Sequence, residues 1–476
     1  MLIAVTIYLC FLLLVGVRRG RHVRTGDDFF VAGRTLPARV LVFTLLSTWV
    51  GSGSLFAGAG LGYRVGFAAL WQSAGAWVGI MCVYFIAPRV RRIAQYTVPD
   101  ILELRYGPFA RVLGTITIVL AYSTIAAYQF RGGGRLLGLV AGIDPSTGAF
   151  ITAAVSVMYT SLAGMLTIAY LDVWNGLTMT VGILLAVVFL IGDSGGLTSA
   201  IEALRPDQVS AFGMLGTTEP AVLALFLPTL FLLLGEANMY QKFFSARDER
   251  AARLAVAGWI AGTIIVEVLI DSTGVLGSTA VPGMTVVESE EIVIRVAMQV
   301  LPTALGFLLV CGATSIIIST ANSFLLTPAT NLIRDVYQRF VNPDATERQV
   351  LVYTRLIVVV LGASGFIAGS FFPTILSMAL WAYTMYGAGV TPALLAALIW
   401  PRASSFGGIL SILAGMLTTL VWEIVGFMRA VDGIPEYPFG WPTIFPALFL
   451  SIGSLIIGSL LTKPSKPEQL IEVEQK

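Results

Sequence analysis

About thirteen apolar runs follow one another along this chain, each close to the ~20 residues that a helix needs to cross a bilayer. Their limits are near 2–18, 40–61, 66–87, 110–139, 150–168, 170–193, 219–244, 251–275, 293–327, 351–371, 374–399, 406–428 and 441–462. Composition agrees: 57% of the 476 residues are apolar and 12% are charged, about half the charged share of an ordinary soluble domain. A soluble enzyme is excluded, and the expected class is an all-α polytopic membrane protein.

Charge then sets orientation. The net charge of +2 recommends no nucleic-acid partner. Lysine and arginine collect in alternate loops: after the first run (Arg18 to Arg39), at Arg89 to Arg105, at Lys242 to Arg253, at Arg334 to Arg348, at Arg402, and at Lys463 to Lys476. The other loops hold few, among them Arg64, Arg131, Arg135, Arg205, Arg295 and Arg429. Basic loops stay on the cytoplasmic side, so the N-terminus is expected outside and the C-terminus inside, with the chain in the plasma (inner) membrane. The first run lacks a preceding basic residue and a small-residue cleavage site, which reads as a retained helix and not a signal peptide.

Cys10, Cys82 and Cys311 all fall within apolar runs, with no zinc or disulfide spacing. His22 is the only histidine, so a relay of imidazoles cannot carry protons and any proton path needs carboxylates.

Two spans carry polar, glycine-containing interruptions. The second holds Gly51-Ser52-Gly53 near its middle, and the seventh holds Gly235-Glu236. Unpaired backbone at membrane depth is tolerated only where it is buried in protein or lines a wet cavity. The two spans lie five apart and therefore run in opposite directions, which is the pattern of broken helices in inverted repeats meeting at a transport site. The ninth span offers Ser319 and Thr320, on the face of Ile316. Their hydroxyls either bond back to their own helix or join carbonyls freed at the first break to hold a hard monovalent cation.

Ionisable residues inside spans are functional candidates. Asp172 opens the sixth span and Glu236 sits in the second break, where it can meet a substrate ammonium or the freed amides. Glu267 and Asp271 share a helix face and are expected to pair with Arg295 near the outer surface. The run Arg131-Gly-Gly-Gly-Arg135 interrupts the fourth span and lacks the strand-to-helix context of a nucleotide fingerprint. No enzyme motif appears.

The chain resembles the sodium:solute symporter family through Asp28-Phe-Phe-Val-Ala-Gly-Arg34, Thr48-Trp-Val-Gly-Ser-Gly53, the stretch Tyr159 to Asp172 with Ala163 where a glycine is usual, Asn238-Met-Tyr-Gln-Lys-Phe-Phe-Ser-Ala246, Ser319 to Tyr337, and Trp381 to Trp400. The resemblance implies a five-plus-five inverted repeat, leucine-transporter-like, with one helix before the core and two after it. The corresponding divisions are 1–39 (helix and cytoplasmic loop), 40–193 (first repeat), 194–218 (external loop), 219–399 (second repeat), 400–462 (two accessory helices) and 463–476 (tail). It also implies a sodium site made by the carbonyls of Thr48, Gly51 and Ile316 with the hydroxyls of Ser319 and Thr320. A second sodium, held in some members, maps onto Asp172, Ser319, Asn322 and Ser323, with Asn322 where those members have a hydroxyl.

The implied substrate site lies near Trp49, Ser52, Ser54, Phe56, Gln72, Glu236, Met239 and Tyr240. The aspartate of proline carriers falls on Val50 and the asparagine of sugar carriers on Glu236, which weakens both assignments. The tryptophan and Leu70-Trp-Gln72 look like the choline-carrier stretch, which points to a cationic or zwitterionic amine. The expected function is sodium-coupled import of a small polar organic solute by alternating access. The alternatives are a carrier coupled to protons through Glu236 or Asp172, and a transporter-shaped sensor or channel.

Overall fold

In the computed structural model, residues 25–93, 95–213, 219–430 and 435–465 are described, with Thr6, Ile7, Cys10 and Leu14 singly. Most of the expected first span, 2–18, and much of the tail lie outside them. The described chain is helical almost throughout. Ten of its helical stretches are long and apolar enough to cross a membrane, and a shorter apolar helix, Ala38–Trp49, precedes the first of them. Two of the ten, Gly53–Ile93 and Pro145–Asp193, each contain a second expected span, the chain turning at Gly66 and at Gly164. Every expected span from 40–61 onward is mostly helical, but 293–327 is divided at Val300–Pro302, 150–168 at Gly164 and 374–399 at Val390.

In chain order the elements that matter are α1 (Gly26–Val31), α2 (Ala38–Trp49), α3 (Ala59–Val65), α4 (Leu70–Ile93), α5 (Val98–Tyr106), α6 (Pro108–Ala141) and α7 (Pro145–Asp193). The second half supplies α8 (Glu219–Gly235), α9 (Ala237–Ser245), α10 (Glu249–Ala280), α11 (Thr303–Asn331), α12 (Glu347–Ala368), α13 (Ile375–Gly389), α14 (Thr391–Ile399), α15 (Ser405–Met428) and α16 (Ile444–Leu461). Their starts follow local sequence. Thr97 and Asp100 form a capping box at α5, Asp144 accepts from the Ser146 and Thr147 amides at α7, and Asp248 accepts from the Ala251 amide at α10. Each arrangement satisfies amides that the first helical turn leaves without partners.

Gly164 divides α7 into two crossings. It has φ 63° and ψ 175°, a region that a residue with a Cβ rarely enters. Its Cα also faces Phe29, whose atoms lie 3.1 Å from where a Cβ would stand.

The Arg131-Gly-Gly-Gly-Arg135 run does not interrupt its span; α6 continues helically through it. The glycines are packing positions. A Cβ on Gly132 would meet the Ser52 side chain, one on Gly133 the Thr152 side chain, and one on Gly134 the backbone at Pro145 and Ala149. Small residues let helices approach closely where there is no hydrophobic drive between them.

The end of the bundle that carries the arginine-rich segments is tied by charge. Arg111 of α6 binds Asp100 and Glu103 of α5 and lies 2.8 Å from Asp335, which also accepts from Thr97 at 2.8 Å. Arg339 reaches Glu103 at 2.7 Å. At the same end the backbone of Leu36, just before α2, donates to Ser245 O at 3.0 Å and accepts from Arg247 N at 3.0 Å. This bridge joins the segment entering the first broken span to the segment leaving the second.

Candidate functional site between two broken helices

The first break lies just after α2. Val50 turns extended (φ −71°, ψ 118°), so the last carbonyls of α2 lose their helical acceptor role toward amides four residues on. Two are taken up from α11: Thr320 Oγ1 donates to Ser47 O at 3.1 Å and to Val50 O at 2.9 Å. Ser319 Oγ stands 3.4 Å from Ser47 O and donates to Asp172 Oδ1 at 2.5 Å. On the far side the freed Ser52 amide donates to Gln129 Oε1 of α6 at 2.8 Å. Thus Ser319 and Thr320 do not spend their hydroxyls on their own helix.

Backbone at the second break is met in the same way. Glu236 is non-helical (φ −59°, ψ 112°) between α8 and α9. Tyr386 of α13 donates to Gly235 O, Tyr240 donates to Leu234 O at 3.0 Å, and Thr391 donates to Phe231 O at 2.7 Å. The Tyr122 hydroxyl donates to Glu236 Oε1 at 3.1 Å. Glu236 is fully buried, and its Oε2 has no hydrogen-bond partner; neither has the Asn238 amide group. Buried polar atoms without partners are uncommon and ask for an explanation.

The residues expected to hold an ion take the following places. The carbonyls that face Thr320 belong to Ser47 and Val50, one position before Thr48 and Gly51. Gly51 O is already engaged by the Leu55 amide at 2.9 Å, and Thr48 turns its hydroxyl toward Ser323 Oγ at 3.0 Å and toward Lys242. Ile316 is buried one turn before Thr320 on the same helix. Asp172 is held by Ser319 and by Thr44 Oγ1, 2.5 Å away. Asn322 instead accepts from Thr160 at 3.1 Å. The oxygens of Ser47, Val50, Ser319 and Thr320, with Asp172 behind them, are the hard, mostly neutral donor set that suits a sodium ion.

Among the expected substrate contacts, Ser52 and Phe56 pack against Gly132, and the Ser52 hydroxyl is buried without a partner. Gln72 is buried with its Oε1 unpaired. Ser54 is half-buried and Met239 is buried. Tyr240 is buried too, but its hydroxyl serves the break. Trp49 donates to Glu267 Oε1 at 2.6 Å, and Trp77 donates to Glu267 Oε2 at 2.8 Å. Ser73 reaches Asp271 Oδ2 at 3.2 Å. The expected pairing of Glu267 and Asp271 with Arg295 is therefore wrong: Arg295 pairs with Glu291 one turn earlier at 2.7 Å, and the two carboxylates point inward to α2 and α4.

The description "Sodium:solute symporter family" fits residues 29–415. The chain belongs to the sodium:solute symporter family. The "Osmoregulated proline transporter" of Bacillus subtilis is 25% identical over 98% of this chain and 96% of its own length. The "Sodium/pantothenate symporter" of Escherichia coli is 27% identical over 95% and 94%. In fold the chain is similar to a solved Na+-coupled sialic acid symporter in a substrate-bound outward-open state, with TM-score 0.82 and 16% identity, covering 97% of this chain and 98% of that one. MhsT in complex with L-phenylalanine gives TM-score 0.56 at 15% identity, covering 88% and 97%.

As a member of the family the chain is a multi-pass membrane symporter that couples solute movement to sodium, and not an enzyme. Its fold is the leucine-transporter-like repeat. Sequence reasoning missed the aromatic lining: Tyr122 stacks on Tyr386 with ring centroids 5.4 Å apart, Trp49 lies 6.0 Å from the Tyr383 ring, and the Tyr128 and Tyr383 hydroxyls are 3.3 Å apart. The available signal was the spacing of Tyr383 and Tyr386, three residues apart in an otherwise apolar span.

Proposed function

We propose that sodium binds where Thr320 bridges Ser47 O and Val50 O, with Ser319 Oγ completing the cage and Asp172 supplying the nearby negative charge. The observation that carries this reading is the pair of Thr320 contacts at 3.1 and 2.9 Å. They bring oxygens from a broken helix of one repeat against a continuous helix of the other. When α2 and α11 separate, the cage opens, so the ion has a higher affinity for one conformation than for the other. Coupling needs that difference and nothing more. The two repeats are taken as 40–193 and 219–399.

The solute site lies between the two breaks, lined by Trp49, Ser52, Gln72 and Glu236. Partnerless oxygens on three of these, with tryptophan and tyrosine faces beside them, support a small polar solute carrying an amine. Proline, pantothenate and sialic acid, named for relatives and a structural neighbour, belong in the panel of compounds to be tried. The arginine-rich end is cytoplasmic, with the C-terminus inside and the N-terminus outside. An inward-negative potential of 100 mV then adds about 2.3 kcal/mol per charge to sodium entry.

The test has two stages. Thermal stability of the purified protein is screened against small amines, amino acids, carboxylates and sugars, with and without sodium, and the stabilising compounds are then offered to proteoliposomes. Concentrative uptake driven by a sodium gradient is expected. Flux that follows a pH gradient and ignores sodium would move coupling to Glu236 or Asp172, and binding without accumulation would make the protein a sensor.

A further inference from the structure

Glu267 and Asp271 are carboxylates that neither the cage nor the solute site uses. Both are buried on α10, one helical turn apart. Trp49 and Trp77 donate to the two oxygens of Glu267 at 2.6 and 2.8 Å. Ser73 reaches Asp271 Oδ2 at 3.2 Å, and the same hydroxyl acts on Glu267. Among the described residues no lysine or arginine pairs with either carboxylate. The elements packed on this stretch of α10 bring no compensating charge. α2 and α4 are charged only toward their inner ends, at Arg39 and at Arg89, Arg91 and Arg92. α3 brings Tyr63, which donates to Val281 O at 3.0 Å, and Arg64, on which Glu290 acts. The helix Ile292–Gln299 brings Arg295, already paired with Glu291. α7 brings Asp172, held by Ser319 and Thr44, and Tyr383 of α13 stands near enough to feel Glu267.

Two neighbouring buried carboxylates cannot both stay ionised with no cation between them, so they share a proton. The donors decide which one carries it. An indole N–H only donates, so Glu267, met by two indoles, is the ionised member and Asp271 is protonated. Ser73 then accepts from Asp271 and turns its own hydrogen to Glu267. The Thr263 hydroxyl points to the same ligand. Thr263 lies one turn before Glu267 on the same face of α10, it is fully buried, and its hydroxyl has no hydrogen-bond partner. Aimed along this face, it can accept from Glu267 once the proton has crossed Ser73. The packing suits a proton and not a metal ion: a Cβ on Gly58 would stand 3.1 Å from Asp271 Oδ1, and one on Gly62 would stand 2.9 Å from Asp271 O.

We propose that Glu267 and Asp271 are a binding site for one proton, set across the first break so that sodium binding expels the proton. Glu267 holds Trp49, the last residue of α2. Asp271 lies against Gly58 and against Gly62 of α3. The two carboxylates therefore meet opposite halves of the broken span, and a change in the angle between the halves draws them apart and admits water. The proton then leaves to water, and the electron pair stays on Asp271. The inference rests on the sodium reading above, in which the ion fixes α2 against α11, and adds an opposing ion to it. By linkage, the proton weakens sodium binding by the same factor as sodium weakens proton binding.

The purified full-length protein, in lightly buffered potassium chloride with a soluble pH indicator, tests this without any known solute. Added sodium chloride should release up to one proton per chain, and equal potassium chloride should release none. In thermal melts the sodium midpoint should fall as pH rises between about 6 and 8, by up to about tenfold per pH unit. Asp271→Asn should still be stabilised by sodium, with no proton release and a midpoint independent of pH. A wild type that sodium stabilises without releasing a proton overturns the proposal whether or not the variant folds. Undiminished release from folded Asp271→Asn overturns it too and moves the proton to another group such as Asp172. A wild type that sodium does not stabilise refutes the cage itself, which separates that failure from failure of the proton site alone.

Discussion

Thr320→Val removes one hydroxyl from the cage while keeping the side chain's branching and nearly its volume. In the sodium-bound protein the ion loses one oxygen ligand. An interaction of a hydroxyl with a charged group is worth about 1.5–3 kcal/mol, and at 1.4 kcal/mol per tenfold the loss corresponds to a rise of about 12- to 150-fold in the sodium concentration needed for half-saturation. A second effect opposes it. Without sodium, Thr320 is the donor to Ser47 O and Val50 O, and leaving buried carbonyls unmet costs about 1–3 kcal/mol, which destabilises the sodium-free state. The two effects are of similar size, so the net shift in the midpoint should be at most about tenfold, and the loss should show chiefly as a lower melting temperature in sodium-free buffer. Sodium-dependent thermal stabilisation gives both numbers from one titration. Thr354→Val is the control, since that buried hydroxyl bonds back to Val350 O at 2.7 Å on its own helix. An unchanged sodium midpoint together with an unchanged sodium-free melting temperature in folded Thr320→Val, or the same changes in Thr354→Val, would falsify the cage.

Other substitutions probe neighbouring parts. Gly51→Ala places a Cβ 2.9 Å from Thr320 Oγ1 and from Gln129 Nε2, so it should abolish sodium-induced stabilisation in a thermal melt; a normal response would mean the break is not packed as described. Glu236→Gln should change which solutes stabilise the protein while the sodium midpoint stays in place, and an unaltered solute profile would reduce Glu236 to scaffold. Glu267→Gln turns an amide N–H toward one of the two indole donors and should lower stability by about 1–3 kcal/mol, read as a lower melting temperature. At the arginine-rich end, burial raises the Glu103 pKa, but hydrogen bonds and charge from Arg339 and Arg111 outweigh it and hold the carboxyl below its ordinary 4.5. A depressed carboxylate stabilises the fold above its ordinary range and loses that contribution as pH falls through the folded value. The difference in melting temperature between wild type and Glu103→Gln should thus shrink as pH drops below 4.5, and a constant difference would refute the pairing.

Much of this architecture was legible because the bilayer imposes a length and a polarity on every crossing. Apolar runs and arginine placement alone gave the span limits. The opposed directions of two glycine-containing spans gave the breaks. What could not be read is the rotation of each helix. Glycine at Arg131-Gly-Gly-Gly-Arg135 reads equally as a break or as a close approach, and only the neighbours Ser52, Thr152 and Ala149 decide it. Carbonyl placement depends on the residue at which the chain leaves helical geometry; that residue is Val50, so the carbonyls facing Thr320 are those of Ser47 and Val50. Glu267 and Asp271 were correctly read as sharing a face, but which neighbour that face meets is a tertiary fact. The partners of Lys242 were hidden for the same reason, since they lie nearly two hundred positions earlier in the chain.

The bridge at Leu36 links the two discontinuous spans by peptide groups alone. Side-chain replacement leaves those groups in place, and a contact of this kind has no rotamers through which to slacken. The entry to one interrupted span and the exit from the other are therefore tied by main chain, and no substitution of these side chains other than to proline removes the tie.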